Sequence, residues 1–316
     1  MTVPVAVLGA GAMGSNHARV LSQMPWARLS AVADSDAVRA ERVAAQFGCG
    51  SARDLASLPE PVQAVVVATP TETHRDLAVE ALEMGLHVLV EKPLTATIAE
   101  GEELVAAAER TGRILATGHV ERFNPACLDL PRFVTDPVFI QTRRLSPFSE
   151  RVKEGVVRDM MIHDIDLVLW LARSEPVRVN AYVVSPRSAT EDLATATVVF
   201  ASGLVAQFTA TRVGQDKVRQ IDVVLNESVV NVDLLRQDIT IRRQATAEYP
   251  EEGARRLKES SVIEIPYLEH RGEPLFLELR DFVTAVESNG TPLVDGRAGL
   301  AALRLCDRIL DAAEGD

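Results

Sequence analysis

The first third of the chain alternates short β-branched runs with longer amphipathic stretches: VAVL, Met13 to Gln23, LSAVAD, Asp36 to Phe47, AVVVA, Thr73 to Met84, HVLV, Ile98 to Thr111, and RILAT. Strand-length apolar runs separated by segments of helical periodicity predict repeated βαβ units, because parallel strands must be joined through a crossover. Near residue 123 the pattern changes. TATVVF, the turn ASG and LVAQFTATR follow one another with hairpin spacing, and Ala206, Phe208 and Ala210 fall on one face with Gln207, Thr209 and Thr211 on the other. Period two of this kind predicts an antiparallel sheet with unequal faces. Phe276 to Ser288 and Arg297 to Ala313 return to helical spacing, the second through Leu300, Leu303, Leu305 and Ile309. The expected fold class is α/β: a doubly wound parallel sheet over residues 1–122, then an α+β domain on an open, mainly antiparallel sheet over 123–316. The polar stretch EYPEEGARRLKES is expected to be a mobile loop.

Composition narrows the function. The 316 residues suit two domains, and 47% hydrophobic content supplies a core for each. A formal net charge of -12 without any Lys/Arg-rich run argues against nucleic acid or an anionic membrane as the partner. Cys49, Cys127 and Cys306 are far apart and lack metal-ligand spacing, so they are expected to be reduced thiols, with no metal site. The N-terminal MTVPVAVLGAG has no positive leader and no apolar run reaches membrane-span length, so a soluble, cytoplasmic protein is expected.

The first chemical signal is VLGAGAMG, in which Gly9, Gly11 and Gly14 form G-x-G-x-x-G between a strand and a helix, with Ala12 and Met13 inside the motif. Gly9 permits the tight turn, Gly11 lets a pyrophosphate approach the backbone, and Gly14 lets helix and strand pack closely. The phosphates then face the free N–H groups of a helix N-terminus. Asp34 ends the second strand twenty residues after Gly14, where a carboxylate accepts hydrogen bonds from the adenosine ribose and repels a 2'-phosphate. This is a Rossmann fingerprint, and NAD is preferred over NADP.

VVVATPTETH and HVLVEKPL place Thr69, Pro70, Thr71, His74, Glu91 and Lys92 at or just past the carboxyl ends of two further strands, where open α/β sheets bind ligands. Lys92, at the end of a buried strand between Glu91 and Pro93, needs a partner there or a chemical task. Asp159 and His163 in DMMIHD are four apart and project from one side of a helix. Oxidising a secondary alcohol requires a base for the hydroxyl proton while hydride leaves the same carbon, and imidazole suits that exchange near neutral pH.

GAGAMGSNH, TPTETH, the EKP tripeptide and the D-x-x-x-H pattern together resemble the glucose-fructose oxidoreductase / inositol dehydrogenase (Gfo/Idh/MocA) family, essentially end to end. The resemblance implies that Lys92 lies beside the nicotinamide and the reacting hydroxyl, with a cis Lys92–Pro93 peptide. It assigns His163 as the base, Lys92 as the cation stabilising the developing alkoxide, and Asp159 as a substrate-orienting or histidine-tuning carboxylate. His17 and His74 would shape the cofactor pocket, while His119 would touch substrate or support the domain junction. Asp164 and Asp166 are read as a packing or capping carboxylate and an indirect partner of the site.

GHVERFNPA paired with MIHDIDLVLWL resembles the nucleotide-sugar branch, whose members include UDP-N-acetylglucosamine 3-dehydrogenases. The implied reaction is oxidation of the sugar C3 hydroxyl to a ketone, with a pyridoxal-phosphate aminotransferase following in the pathway. A diphosphate needs cations, and Arg122, Arg143, Arg144, Arg151 and Arg158 are candidates, with Arg122 and Asn124 the preferred ligands. A free polyol such as myo-inositol is the alternative substrate, and a non-catalytic dinucleotide-dependent sensor a further alternative, against which Lys92, Asp159 and His163 argue. Relatives commonly assemble through the outer face of the second sheet, so a homodimer or homotetramer is expected.

Overall fold

A computed structural model describes residues 2–59, 61–149, 154–251 and 254–314, with side chains other than those of 245–259. Its first sheet has strand order β3-β2-β1-β4-β5-β6, all parallel. The strands are β1 (Val3–Leu8), β2 (Ala27–Ala33), β3 (Gly50–Ala52), β4 (Ala64–Val67), β5 (His87–Glu91) and β6 (Leu115–Gly118). The crossovers are α1 (Ala12–Gln23), α2 (Ala37–Phe47), α3 (His74–Glu83) and α4 (Ile98–Thr111). Both faces of the central strands are buried, which is why β4 reads as an uninterrupted AVVV rather than an alternation. Val3, Val5 and Val7 pack with α1 and α2, whereas Ala6 and Leu8 pack with α3 and α4. The strand order reverses between β1 and β4, so the connections leaving their carboxyl ends run to opposite faces of the sheet and leave a crevice there.

The second sheet follows α5 (Pro125–Asp129) and comprises β7 (Phe139–Leu145), β8 (Pro176–Val184), β9 (Leu193–Phe200), β10 (Val205–Thr211), β11 (Val218–Val224), β12 (Ser228–Asp233), β13 (Asp238–Glu251) and β14 (Ala254–Glu264). Its order is β14-β13-β12-β11-β7-β10-β9-β8, antiparallel except for the β7–β10 pair. Helix α6 (Ile162–Ala172) packs on β7 and β10. The expected alternation holds at Ala206, Phe208 and Ala210, which are fully buried, and at Gln207 and Thr209, which are not. Thr211 departs from it and is buried at the strand end. The expected loop EYPEEGARRLKES is instead a hairpin for its described residues, with Ile241 paired to Glu264 and Glu251 to Ala254. The edge strand β14 and its neighbour β13 pair their backbone groups with each other and do not need an apolar face to do so.

Packing divides the chain into Met1–Phe123 with Gly272–Arg304, and Asn124–Arg271 with Leu305–Asp316. This modifies the linear division into 1–122 and 123–316. Helix α7 (Pro274–Ser288) carries Leu275, Leu279, Phe282 and Val283 into the cluster formed by β1 and α1, and Phe276 meets Trp26 edge to face at 6.1 Å. The apolar sheet face left open by the crossovers is thereby covered. Helix α8 (Gly296–Glu314) begins against β6, where a Cβ on Gly299 would fall 2.3 Å from the Thr117 hydroxyl.

Candidate active site

The turn between β1 and α1 is built by its glycines. Gly9 has φ +97°, and a Cβ there would lie 2.5 Å from the Ala68 carbonyl oxygen, so this position requires both the left-handed backbone and the missing side chain. A Cβ on Gly14 would sit 1.7 Å from the Gly9 oxygen, which is how closely helix and turn approach. Gly11 differs: its Cβ would meet nothing within 4 Å, so the space in front of the helix is open. No side chain caps α1, and its first N–H groups point toward that space. The residues fit a pyrophosphate.

Asp34 is fixed on the other side of the turn. One carboxylate oxygen accepts from Ala10 N at 2.8 Å, and the other from Asp36 N at 2.9 Å. Arg39, in the first turn of α2, lies 3.4 Å from the Asp34 carboxylate. These groups face a cavity of about 730 Å³ that runs from Asp34, Ser35, Arg39 and Arg53 past Gly9 and Gly11 to Thr69, Pro70, Glu91 and Lys92. Met13 also lines it. Ala12 and Thr71 open α1 and the 3₁₀ turn before α3, respectively. Gly14 is a packing residue, and the buried His74 imidazole bridges Pro93 O at 3.0 Å and Thr69 O at 2.9 Å, joining the loops that follow β4 and β5. Asp34→Ala should move cofactor preference toward NADP on the order of a hundredfold, because it removes the repelling carboxylate and releases Arg39. Fluorescence titration with NADH and NADPH checks this, and an unchanged ratio would remove Asp34 from the selectivity role.

Lys92 closes the opposite end of the cavity, and the Lys92–Pro93 peptide is cis. The chain uses Arg at 29 positions and Lys at only four, so a lysine here reflects a need for a compact ammonium and not the general composition. Beside it the Glu91 carboxylate accepts from Lys92 N at 3.2 Å and is 2.7 Å from His17 Nε2. Burial alone would raise the Glu91 carboxyl, but the hydrogen bond and charge of His17, with the charge and N–H of Lys92, hold it below the ordinary range.

In the second unit, Asp159 and His163 do not share a regular α-helix. Asp159 lies in a π-helical turn, Val157–Met161, that leads into α6, and His163 is in the first turn of α6. Such turns are frequent at functional sites. Asp159 and His163 are partly exposed, whereas Met161, Ile162 and Asp164 through Val168 are buried. The pair is thus partly exposed on a segment whose neighbouring residues are buried.

Several expected ligands have other work. Arg144 is buried and donates through Nε at 3.0 Å and Nη2 at 2.7 Å to Asp164, which explains the carboxylate next to His163. Arg143 lies on the opposite face of β7 from Arg144. Arg158 pairs with Asp307 at 2.6 Å, and Arg151 lies outside the described residues. Arg122 is buried, donating to Leu293 O at 3.4 Å, and His119 is buried just after β6. Asn124 caps α5, accepting from Ala126 N at 3.1 Å and donating to Leu234 O at 2.9 Å. Its amide is thus engaged at both ends.

Sequence reasoning missed the residues that hold the π-helical turn. Val156 N donates to Glu191 O, and Val157 N to the Glu191 carboxylate at 3.2 Å. Arg212 donates to Asp192 at 2.8 Å, to the Ser188 and Thr190 hydroxyls, and to Glu154 O. Arg39 was also missed, although its place five residues after Asp34 at a helix start was a usable signal.

A glycine turn at a sheet switch point, a carboxylate fixed beside it and a lysine lining the same cavity belong to an NAD-dependent dehydrogenase. Residues 3–119 match the oxidoreductase family NAD-binding Rossmann fold, and residues 136–229 the GFO/IDH/MocA C-terminal domain. The chain belongs to the GFO/IDH/MocA family. It is 32% identical to UDP-N-acetylglucosamine 3-dehydrogenase of Acidithiobacillus ferrooxidans, over 98% of this chain and 96% of that one. It is 31% identical to the NAD(+)-dependent scyllo-inositol 2-dehydrogenase of Bacillus subtilis, over 92% and 88%. A solved structure of the Acidithiobacillus enzyme superposes with TM-score 0.89 at 30% identity, covering 100% of this chain and 99% of that one. Levoglucosan dehydrogenase in complex with NADH and levoglucosan, at 20% identity and TM-score 0.85 over 100% and 98%, shares the fold. Among the described residues no helix is long and apolar enough to cross a membrane.

Proposed function

We propose that the protein oxidises a hydroxyl of a nucleotide-linked sugar, the C3 hydroxyl of UDP-N-acetylglucosamine, to the ketone. The observation carrying this reading is the near end-to-end likeness to the Acidithiobacillus UDP-N-acetylglucosamine 3-dehydrogenase, together with the presented Asp159 and His163 pair. NAD supplies the hydride acceptor when bound. His163 takes the hydroxyl proton, Lys92 stabilises the oxyanion that develops, and Asp159 orients the sugar or the imidazole. The diphosphate is not assigned to Arg144 or Arg158, whose guanidinium groups are committed to carboxylates. A homo-oligomeric assembly and a following aminotransferase that consumes the ketone belong to the same reading.

The likeness to scyllo-inositol 2-dehydrogenase favours a free polyol as the second reading. Purified protein with NAD should form NADH with UDP-N-acetylglucosamine in the presence of a carbonyl trap, and should not do so with its uronic acid or with myo- or scyllo-inositol. NADH formed with an inositol alone would overturn the nucleotide-sugar assignment.

A further inference from the structure

The π-helical turn that carries Asp159 begins without a cap of its own. The first N–H groups of a helical turn have no partner within it, and a Ser, Thr, Asp or Asn at its start ordinarily supplies one. Here the preceding residues are Gly155 and Val156, which have no side-chain oxygen. The acceptors come instead from Glu191, 34 residues beyond Val157. Its backbone oxygen accepts from Val156 N at 3.0 Å and its carboxylate from Val157 N at 3.2 Å. A Cβ on Gly155 would fall on that carboxylate, and the Gly155 φ is not left-handed, so glycine is needed there for room alone. The Gly155 oxygen in turn accepts from Asp159 N at 3.0 Å.

The far end of this cap is fixed to the second sheet. Glu191 stands just before β9, and Leu193 on that strand pairs with Thr211 at the end of β10. One step further, Arg212 N donates to Asp192 O at 2.9 Å, and the guanidinium pairs with the Asp192 carboxylate at 2.8 Å. Asp192 also accepts from Arg187 N at 2.7 Å and Ser188 N at 3.0 Å, which closes the loop that presents Glu191. Arg212 donates to Glu154 O as well, so the residues on both sides of Gly155 are tied to the sheet. The last part of α8 also holds the turn: Cys306 Sγ lies 3.8 Å from Val157 O, and Asp307 pairs with Arg158 at 2.6 Å.

We propose that Glu191 is a positioning residue for the oxidation: its carboxylate caps the turn and thereby sets where Asp159, and His163 beyond it, stand against the sugar. The inference rests on the assignment of Asp159 and His163 to the chemistry, and not on which sugar is oxidised. A π-helical turn holds an extra residue, and its bonds compete with ordinary α-helical ones that would rotate Asp159. Glu191 biases that competition by fixing Val156 and Val157, both 0% exposed, at the point where the turn begins. Without the carboxylate, Val157 N needs another acceptor, and the turn rewinds or tilts to find it. A water admitted in its place satisfies the N–H but is not tied to the sheet. Displacing a reacting group by about 1 Å costs on the order of a hundredfold in rate.

The test is steady-state kinetics of the full-length protein with NAD and the best accepted sugar, with active protein counted by fluorescence titration with NADH. Glu191→Ala is expected to lower kcat about thirtyfold and to leave NADH affinity within about twofold of wild type. Glu191→Gln, whose amide oxygen still accepts from Val157 N, should keep kcat within about threefold. Gly155→Ala should fall as far as Glu191→Ala, because its methyl displaces the carboxylate, and the double variant should fall no further than Glu191→Ala alone. A merely structural part for Glu191 would lower the melting temperature and leave kcat per NADH-binding site at the wild-type value, which would overturn the proposal. So would equal losses in Glu191→Gln and Glu191→Ala, which would make charge and not the capping bond the cause, or additive losses in the double variant. If Glu191→Ala does not fold, Glu191→Asp against Glu191→Gln decides: the shortened acceptor should lose turnover where the amide of equal length does not, and equal kcat in the two overturns the proposal. Wild type that oxidises no sugar would overturn the dehydrogenase reading and the inference with it, a result distinct from an active wild type matched by Glu191→Ala.

Discussion

Lys92→Met is expected to lower turnover with any accepted sugar by about a thousandfold while leaving NAD affinity within about threefold of wild type. Methionine matches the length and flexibility of the lysine stem, so the change removes the ammonium and little else. In the proposed assignment the Gly9–Gly14 turn would hold the cofactor's phosphates and Asp34 its adenosine end, away from Lys92 in the same cavity, so binding should survive. The loss should appear in kcat, because the charge is used when the hydroxyl becomes an oxyanion and not when the neutral sugar binds. Lys92→Arg is expected to restore little, since a planar guanidinium is bulkier and is not a point donor. Steady-state kinetics with a fluorescence measurement of NADH binding checks both halves. A variant with ordinary kcat would remove Lys92 from the chemistry.

Arg212→Met should cost about 3–5 kcal/mol of stability at pH 7, the usual result of leaving one member of a buried ion pair unpaired. Asp192 and Arg212 are both buried, and the guanidinium also joins Ser188, Thr190 and Glu154 O. Burial alone would push the Asp192 carboxyl up. The Arg212 guanidinium, the Ser188 hydroxyl and the N–H groups of Arg187 and Ser188 hold it well below the usual carboxylate range. A carboxyl with a depressed folded-state value stabilises the fold at pH values above its unfolded one, about 4, and loses that contribution as pH falls further. The gap between wild type and variant should therefore be full at neutral pH and shrink below about pH 4. Urea unfolding across that range measures it. A gap that stays constant into acid would mean the pair's ionisation contributes nothing. Because Glu191 holds the N–H groups of Val156 and Val157, hydrogen exchange at those two amides should also quicken in the variant.

What was legible in the sequence was local. The glycine turn, Asp34 at its fixed distance, Lys92 at a strand end and the alternation through Phe208 each depend on neighbours within one or two elements. Arg144 with Asp164 and Arg212 with Asp192 were not legible, because each pair is twenty residues apart and buried charges look like surface charges in a sequence. Asn124 in FNPA looked like a ligand and is a cap, since the same amide chemistry serves both. The pairing of β13 with β14 escaped for a related reason: a hairpin at the edge of a sheet can be polar throughout. The π-helical turn at Asp159 leaves no mark that period counting detects, although it changes how Asp159 and His163 are presented.

The division of packing inside α8 has a consequence for how this protein can be taken apart. Gly296 through Arg304 belong with the nucleotide-binding residues, and the same helix continues from Leu305 with the others. In genetic terms residues 124–271 are an insert within a host, not the second of two modules in series. A gene cut once at codon 123 would encode a sheet deprived of Leu275, Leu279 and Phe282, its own cover on one face. Exchanging residues 124–271 between relatives therefore needs two crossovers, at either end of the insert, and helix α7 with the part of α8 up to Arg304 stays with the nucleotide fold.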